Sequence, residues 1–131
     1  MCLCLVGVLI TVHPKSLSIC SKFSKSSSVS SAITFNGHRI HYDRKYSIDK
    51  EGYPGLVVHG PLMATFLLDL ASKVANDKNT LIKTFKFRLM SPVFVGGEIF
   101  AQAKYNDTGL DLWIKDQKGN QSLSALAEFS N

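Results

Sequence analysis

Three of the four histidines in this 131-residue chain fall in two short pieces, Asn36-Gly37-His38-Arg39-Ile40-His41-Tyr42-Asp43 and His59-Gly60-Pro61. Imidazole titrates near neutral pH and can move protons in either direction. The second piece opens the longest apolar segment, at the point where a buried helix should begin. The first amides of a helix lack intrahelical acceptors and carry partial positive charge, so Gly60, with no side chain in the way, can offer its N–H to a developing oxyanion. A thioester carbonyl suits that position. A nearby histidine can then shift a proton at the adjacent carbon or at a hydroxyl one carbon further on. Such enolate-type chemistry needs no cofactor and no metal. Two other readings use the same residues. His38 and His41 with Asp43 or His59 have the donor atoms of a metal site, and Gly60-Pro61 can be a tight helix start capped by His59.

These residues need elements to hold them. Pro61 to about Ala75 has the helical spacing Leu62, Met63, Phe66, Leu67, Leu70, Ala71 and Val74, with proline suited to the first turn. Only Thr65, Asp69, Ser72 and Lys73 are polar, so the helix is expected to be almost entirely buried. Asn76-Asp77-Lys78-Asn79 ends it. Upstream, Gly52-Tyr53-Pro54-Gly55 is a turn signal able to fold the 36–43 loop back onto the helix start, and Ser31 to Tyr53 reads as loop and short helix. Downstream come four strands: Leu81 to Leu89, Glu98 to Tyr105, Leu110 to Lys115 and Ser122 to Phe129, joined by turns at Gly96-Gly97, Asn106 to Gly109 and Asp116 to Asn120. An apolar helix followed by an antiparallel meander is most economically arranged with the sheet curled around the helix, an α+β architecture.

With 45% hydrophobic residues the chain has enough apolar material for one domain and is too short for two ordinary ones. Its net charge of +5 is uneven. Residues 1–42 carry Lys15, Lys22, Lys25 and Arg39 and no acid, which leaves 11 bases against 10 acids in residues 43–131. The body of the domain is near neutral, which argues against nucleic acid as a partner. Cys2, Cys4 and Cys20 all lie near the N-terminus, so neither a disulfide framework nor a cysteine-based site is expected. Cys2 to Val12 is an apolar run of 11 residues, well short of the roughly 20 of a membrane span. After Pro14 the chain turns Ser-rich, Lys-containing and acid-free as far as Ser31, and residues 1–30 are read as an organelle-targeting presequence ahead of a domain over 31–131. A secretory signal and a strand over Val6 to Val12 are the competing readings, with Ile19 to Phe23 another source of a first strand.

Thr34 to Asp43, followed by Glu51 to Thr65 with its Tyr53-Pro54-Gly55-Leu56-Val57-Val58-His59-Gly60-Pro61 centre, resembles the MaoC-like hotdog-fold hydratases and dehydratases. The nearest branch is the mitochondrial hydroxyacyl-thioester dehydratase type 2 proteins, together with bacterial hydratases of mesaconyl- or itaconyl-type CoA esters. The resemblance covers about Ser31 to Phe129. It implies a sheet wrapped around a long helix, a homodimer formed by pairing two such sheets, and an acyl carrier protein or CoA thioester as substrate in the mitochondrial matrix. The family's hydratase motif runs Asp, any residue, Asn, Pro, aliphatic, His, any residue, Asp. Its histidine falls on His41, its aliphatic position on Ile40 and its last Asp on Asp43. Its first Asp, a catalytic partner of the histidine, falls on Asn36, and its Asn and Pro fall on His38 and Arg39. An amide cannot act as a carboxylate base but can orient a water or a hydroxyl. The resemblance thus implies His41, Asn36 and Gly60 as catalytic residues, and His38, Tyr42, Tyr53, Val58 and His59 as residues around the acyl chain. Lys83, Lys86 and Arg88 are candidates for phosphate contacts or an ordinary solvated strand face.

Overall fold

The structure, a computed structural model, describes residues 9–13, 16–22 and 26–130. Leu9–His13 (β1), Ser16–Lys22 (β2) and Ser26–Ile33 (α1) come first. Helix Arg44–Asp49 (α2) and the long helix Gly60–Asp77 (α3) follow, and then strands Ile82–Leu89 (β3), Glu98–Tyr105 (β4), Gly109–Asp116 (β5) and Gln121–Phe129 (β6). The strands form one antiparallel sheet in the order β1-β2-β4-β5-β6-β3. The sheet curls around α3, the hotdog arrangement implied by the resemblance. Among the described residues no helix is long and apolar enough to cross a membrane.

The core explains the register. Ala101 and Ala103 of β4 stand opposite Ile114 and Leu112 of β5, and Leu110 and Leu112 stand opposite Ala127 and Ala125 of β6. Bulky β5 side chains are thus flanked by methyl-sized ones, which leaves a channel for Leu67, Leu70, Ala71 and Val74 of α3. Leu67 and Ala71 are wholly buried. The expectation of a helix buried on nearly all sides needs correction. Pro61, Thr65, Leu68, Asp69 and Lys73 form an exposed stripe, with Lys73 Nζ bonded to Asp69 Oδ2 at 2.7 Å. A single sheet offers one concave face, and it covers one side of a helix. Asn79, with φ of 52°, turns the chain out of α3.

The stretch read as a presequence contains β1, β2 and the first part of α1, and β2 pairs with β4 along Ser16↔Lys104 to Lys22↔Glu98. Ile19 to Phe23, one candidate for a first strand, overlaps β2. Residues 1–8, with Cys2 and Cys4, lie outside the described residues, as does most of the apolar run. At the opposite edge, β3 leaves Phe87 and Leu89 half exposed, and Met90 just beyond it is more than half exposed.

At Gly109 the backbone of β6 comes close to β5. A Cβ there would fall on the Ala127 carbonyl oxygen, a backbone atom that cannot swing aside. We expect Gly109→Ala to destabilise the fold by about 1–3 kcal/mol in urea or thermal denaturation. Gly37→Ala, where a Cβ meets nothing within 4 Å, is the matched control and should change stability far less.

Candidate active site

The site is assembled by three chain segments. The first is the loop between α1 and α2. At the end of α1, Ser31 Oγ donates to the Asn36 carbonyl at 2.5 Å and the Asn36 amide donates to the Ser31 carbonyl at 2.9 Å. Phe35 takes a left-handed φ of 55° to make this turn. Asn36 Oδ1 then accepts the His38 amide at 3.0 Å, which sets up the single 3-10 turn Arg39–His41. Asp43 closes the loop. Its Oδ1 accepts the Tyr46 amide at 2.9 Å as the cap of α2, and its Oδ2 pairs with Arg39 at 2.7 Å. Those two bonds, the Tyr46 amide foremost, hold its carboxyl below the usual carboxylate range. The last acid of the motif therefore shapes the loop.

The second segment is the extended Leu56 to Val58. The Val58 amide donates to the Val93 carbonyl at 2.7 Å and the Val95 amide to the Leu56 carbonyl at 2.9 Å, fixing this stretch against residues 93–95. On its other edge the Val57 amide donates to the Ile40 carbonyl at 2.9 Å. His41 Nδ1 lies 2.9 Å from the Val57 carbonyl oxygen. A carbonyl can only accept, so Nδ1 carries the proton and Nε2 is the basic nitrogen of the neutral ring. Ser28 of α1 also donates to the His41 carbonyl at 3.1 Å. His41 is 7% exposed, with its ring held by Val57 and its backbone by Ser28.

The third segment is the start of α3. His59 precedes its first residue and is 2% exposed, with Nδ1 3.1 Å from Ser30 Oγ. The Leu62 amide already has the His59 carbonyl as acceptor at 3.1 Å and Pro61 has no N–H. Gly60 is therefore the residue whose amide is left to face outward in the first turn. Leu89 packs closely on it, so a Cβ there would stand 2.5 Å from Leu89 Cδ1 and the leucine side chain would have to shift.

These pieces enclose a cleft of about 380 Å³, lined by Asn36, His41, His59 and Gly60 with Val57, Val58, Met63, Leu89, Met90 and Ser91 among others. The His41 and His59 rings meet edge to face at 5.0 Å between centroids, and exposed His38 lies 5.9 Å from His41 on the other side. Burial, and then the neighbouring His41, hold the His59 pKa below its ordinary value. Among the described residues no group of three or more His, Cys, Asp or Glu side chains is gathered in a metal-binding arrangement.

Of the residues named from the sequence, His41, Asn36, Gly60, Val58 and His59 share the cleft. Tyr42 lies outside it, donating to the Gly37 carbonyl at 3.0 Å beside a separate hollow against α1. Tyr53 packs on Phe94 at 6.0 Å, also away from the cleft. Lys86 and Arg88 lie in a shallow groove with Trp113 and Gln121, on the face of β3 opposite Leu89. Ser28 and Ser30 went unnoticed because they sit in a serine-rich stretch that has no periodic signal. Leu89 has a signal, the alternation of β3, which points it toward the helix, whereas Met90 follows the strand and has none.

Three comparisons with known proteins bear on this site. Residues 18–95 match the family model for hydroxyacyl-thioester dehydratase type 2. The chain is 45% identical over 99 residues to a mesaconyl-C(4)-CoA hydratase of Chloroflexus aurantiacus, covering 76% of this chain and 34% of that protein. It is 39% identical over 84 residues to the mitochondrial hydroxyacyl-thioester dehydratase type 2 of Schizosaccharomyces pombe, covering 64% of this chain and 27% of that protein. The chain thus spans about a third of the length of the curated relatives it matches. Among solved structures, the (R)-hydratase from A. caviae involved in PHA biosynthesis superposes with a TM-score of 0.76 at 19% identity, over 92% of this chain and 97% of that one, a likeness of fold.

The buried His59 makes stability fall in acid. Its folded pKa is depressed below the ordinary 6.5, so the unfolded chain binds the proton first as pH drops and folding is penalised. The melting temperature should therefore decline between about pH 7 and pH 5, and His59→Gln should flatten that part of the profile.

Proposed function

Because this chain belongs to the hydroxyacyl-thioester dehydratase type 2 family, we propose that it interconverts a (3R)-3-hydroxyacyl thioester and the trans-2-enoyl thioester, with release or uptake of water. The observation that carries this reading is the pairing of His41, its tautomer set by the Val57 carbonyl, with the Gly60 amide at the head of α3 in one apolar cleft. In the dehydration direction the thioester carbonyl oxygen accepts a hydrogen bond from the Gly60 N–H, which stabilises the enolate-like transition state. His41 Nε2 removes the proton from C2, the C2–C3 double bond forms, and the 3-hydroxyl leaves with a proton as water. Asn36 stands where the motif has an acid. With Oδ1 committed to the His38 amide, it offers its NH2 to orient the substrate hydroxyl and takes no proton.

We take the substrate to be an acyl carrier protein thioester of mitochondrial fatty-acid synthesis. The S. pombe relative, whose name places it in mitochondria, supports this reading. Keeping β2 on β4, and Ser30 on His59, requires any processed leader to end before Ser16. The half-exposed Phe87 and Leu89 on edge strand β3 support a homodimer that pairs the two β3 edges. The second reading, hydration of a short branched or dicarboxylic CoA ester, is favoured by the 45% identity to the mesaconyl-C(4)-CoA hydratase. The cleft lining weighs the other way, since among the described residues it contains no Lys or Arg to hold a second carboxylate. A fold that binds acyl thioesters without turning them over is the remaining alternative, which rests on Asn36.

Full-length protein should hydrate crotonyl-thioester, read as loss of enoyl absorbance, and His41→Ala should lower kcat by about 10²–10⁴-fold. Activity untouched by His41→Ala would remove His41 from the mechanism. A folded protein inactive on both carriers would leave the binding reading. Faster turnover of mesaconyl-type than of crotonyl esters would favour the dicarboxylate reading.

A further inference from the structure

Elimination of water needs two proton transfers, one from C2 and one to the departing hydroxyl. The motif's own second group is missing here. Asn36 has no proton to exchange, and its oxygen is engaged by the His38 amide at 3.0 Å. His41 has one nitrogen committed to the Val57 carbonyl, so a single nitrogen is left for the substrate. Among the described residues, His59 is the other titratable side chain on the cleft wall, and its ring centroid is 5.0 Å from that of His41. That separation suits two groups addressing neighbouring carbons of one substrate. Its position is also held: it immediately precedes α3, and its Nδ1 is paired with Ser30 Oγ of α1.

We propose that His59 is the general acid of the reaction, held in place by Ser30, and that it takes the role that a carboxylate fills in the family motif. This inference rests on the dehydratase reading above. In dehydration the C2–H bond gives its proton to His41 Nε2 and its electron pair to the new C2–C3 double bond. The C3–O bond breaks toward oxygen, and the departing hydroxyl takes a proton from the His59 imidazolium and leaves as water. The pair starts with the proton on His59 and ends with it on His41. A water molecule in the cleft carries the proton back, so one turnover consumes no net proton. Burial and the neighbouring His41 disfavour charge on His59, so its imidazolium is the minor form at neutral pH and a stronger acid than a free one, which suits a group that gives its proton to a departing hydroxyl.

A substrate whose leaving group needs no proton separates the two histidines. 3-Hydroxybutyryl-CoA and 3-fluorobutyryl-CoA both yield crotonyl-CoA, but fluoride departs as the anion. With the full chain, His59→Gln should slow elimination from the hydroxy substrate by about 100-fold or more while the fluoro substrate reacts at a near wild-type rate. His41→Ala should abolish both. Ser30→Ala, which keeps the His59 ring and removes its Nδ1 partner, should lower kcat on the hydroxy substrate with KM unmoved and spare the fluoro substrate. Equal slowing of both substrates by His59→Gln and by Ser30→Ala would overturn the assignment and leave His59 a structural residue. So would full activity of both variants on the hydroxy substrate, which would point to His41 acting alone. Wild-type protein that turns over neither substrate would overturn the dehydratase reading itself, and this inference with it.

Discussion

The hydrogen bond from His41 Nδ1 to the Val57 carbonyl joins the two segments on which the site depends. One is a loop with little regular structure, whose shape comes from side-chain bonds at Ser31, Asn36 and Asp43. The other is extended backbone tied to residues 93–95 and leading straight into α3. The bond selects the tautomer of the ring and also fixes the distance between the loop and the helix start. Without it, the imidazole and the Gly60 amide would belong to separate parts of the molecule. The neighbouring Val57 amide to Ile40 carbonyl bond supports the same junction, so the ring is held by a short two-bond ladder in place of a single contact.

The rest of the fold makes this junction rigid. Helix α3 is anchored by Leu67, Leu70, Ala71 and Val74 in the concave face of the sheet, where alanines of β4 and β6 leave it room. A helix packed along one side cannot slide without disturbing many contacts at once. Its first turn is therefore a fixed point in the cleft, and an amide at a fixed point needs no reorganisation as charge develops on a bound carbonyl. The exposed stripe of Thr65, Leu68 and Asp69 shows where the single sheet stops covering the helix.

Much of this was legible from residue order. The spacing from Leu62 to Val74 and the alternation from Phe85 to Leu89 reproduce α3 and β3, because a helix with one buried side and a strand with an apolar and a charged face each leave a regular pattern. The resemblance pointed to His41 and Gly60, which the fold places on one cleft. What could not be read is instructive. Ser28 and Ser30 matter through single hydroxyls on a short helix in a serine-rich stretch, and one hydroxyl leaves no periodic trace. Nor did the N-terminal strands show themselves clearly. β2 has Ser16, Ser18 and Ser21 among its seven residues, so its apolar alternation is diluted, and its pairing with β4 is long-range. Tyr42 and Tyr53 sit in the right stretches of sequence and still fall outside the cleft, because a 3-10 turn and a tight loop rotate neighbouring side chains onto different faces.

Leu89 packs against Gly60 from an edge strand that is paired on only one side, opposite Leu123 of β6. Side chains of a strand alternate between faces, so the residue turned toward Gly60 can change only in steps of two along the chain. Sliding β3 by one such step would present Phe87 or Ser91 in place of Leu89, either filling the space beside the Gly60 amide or emptying it. The width of the cleft is therefore a discrete quantity, stepped by the pairing of β3 with β6, and a relative could acquire a wider or narrower cleft by a change of register while His41, His59 and Gly60 stayed where they are.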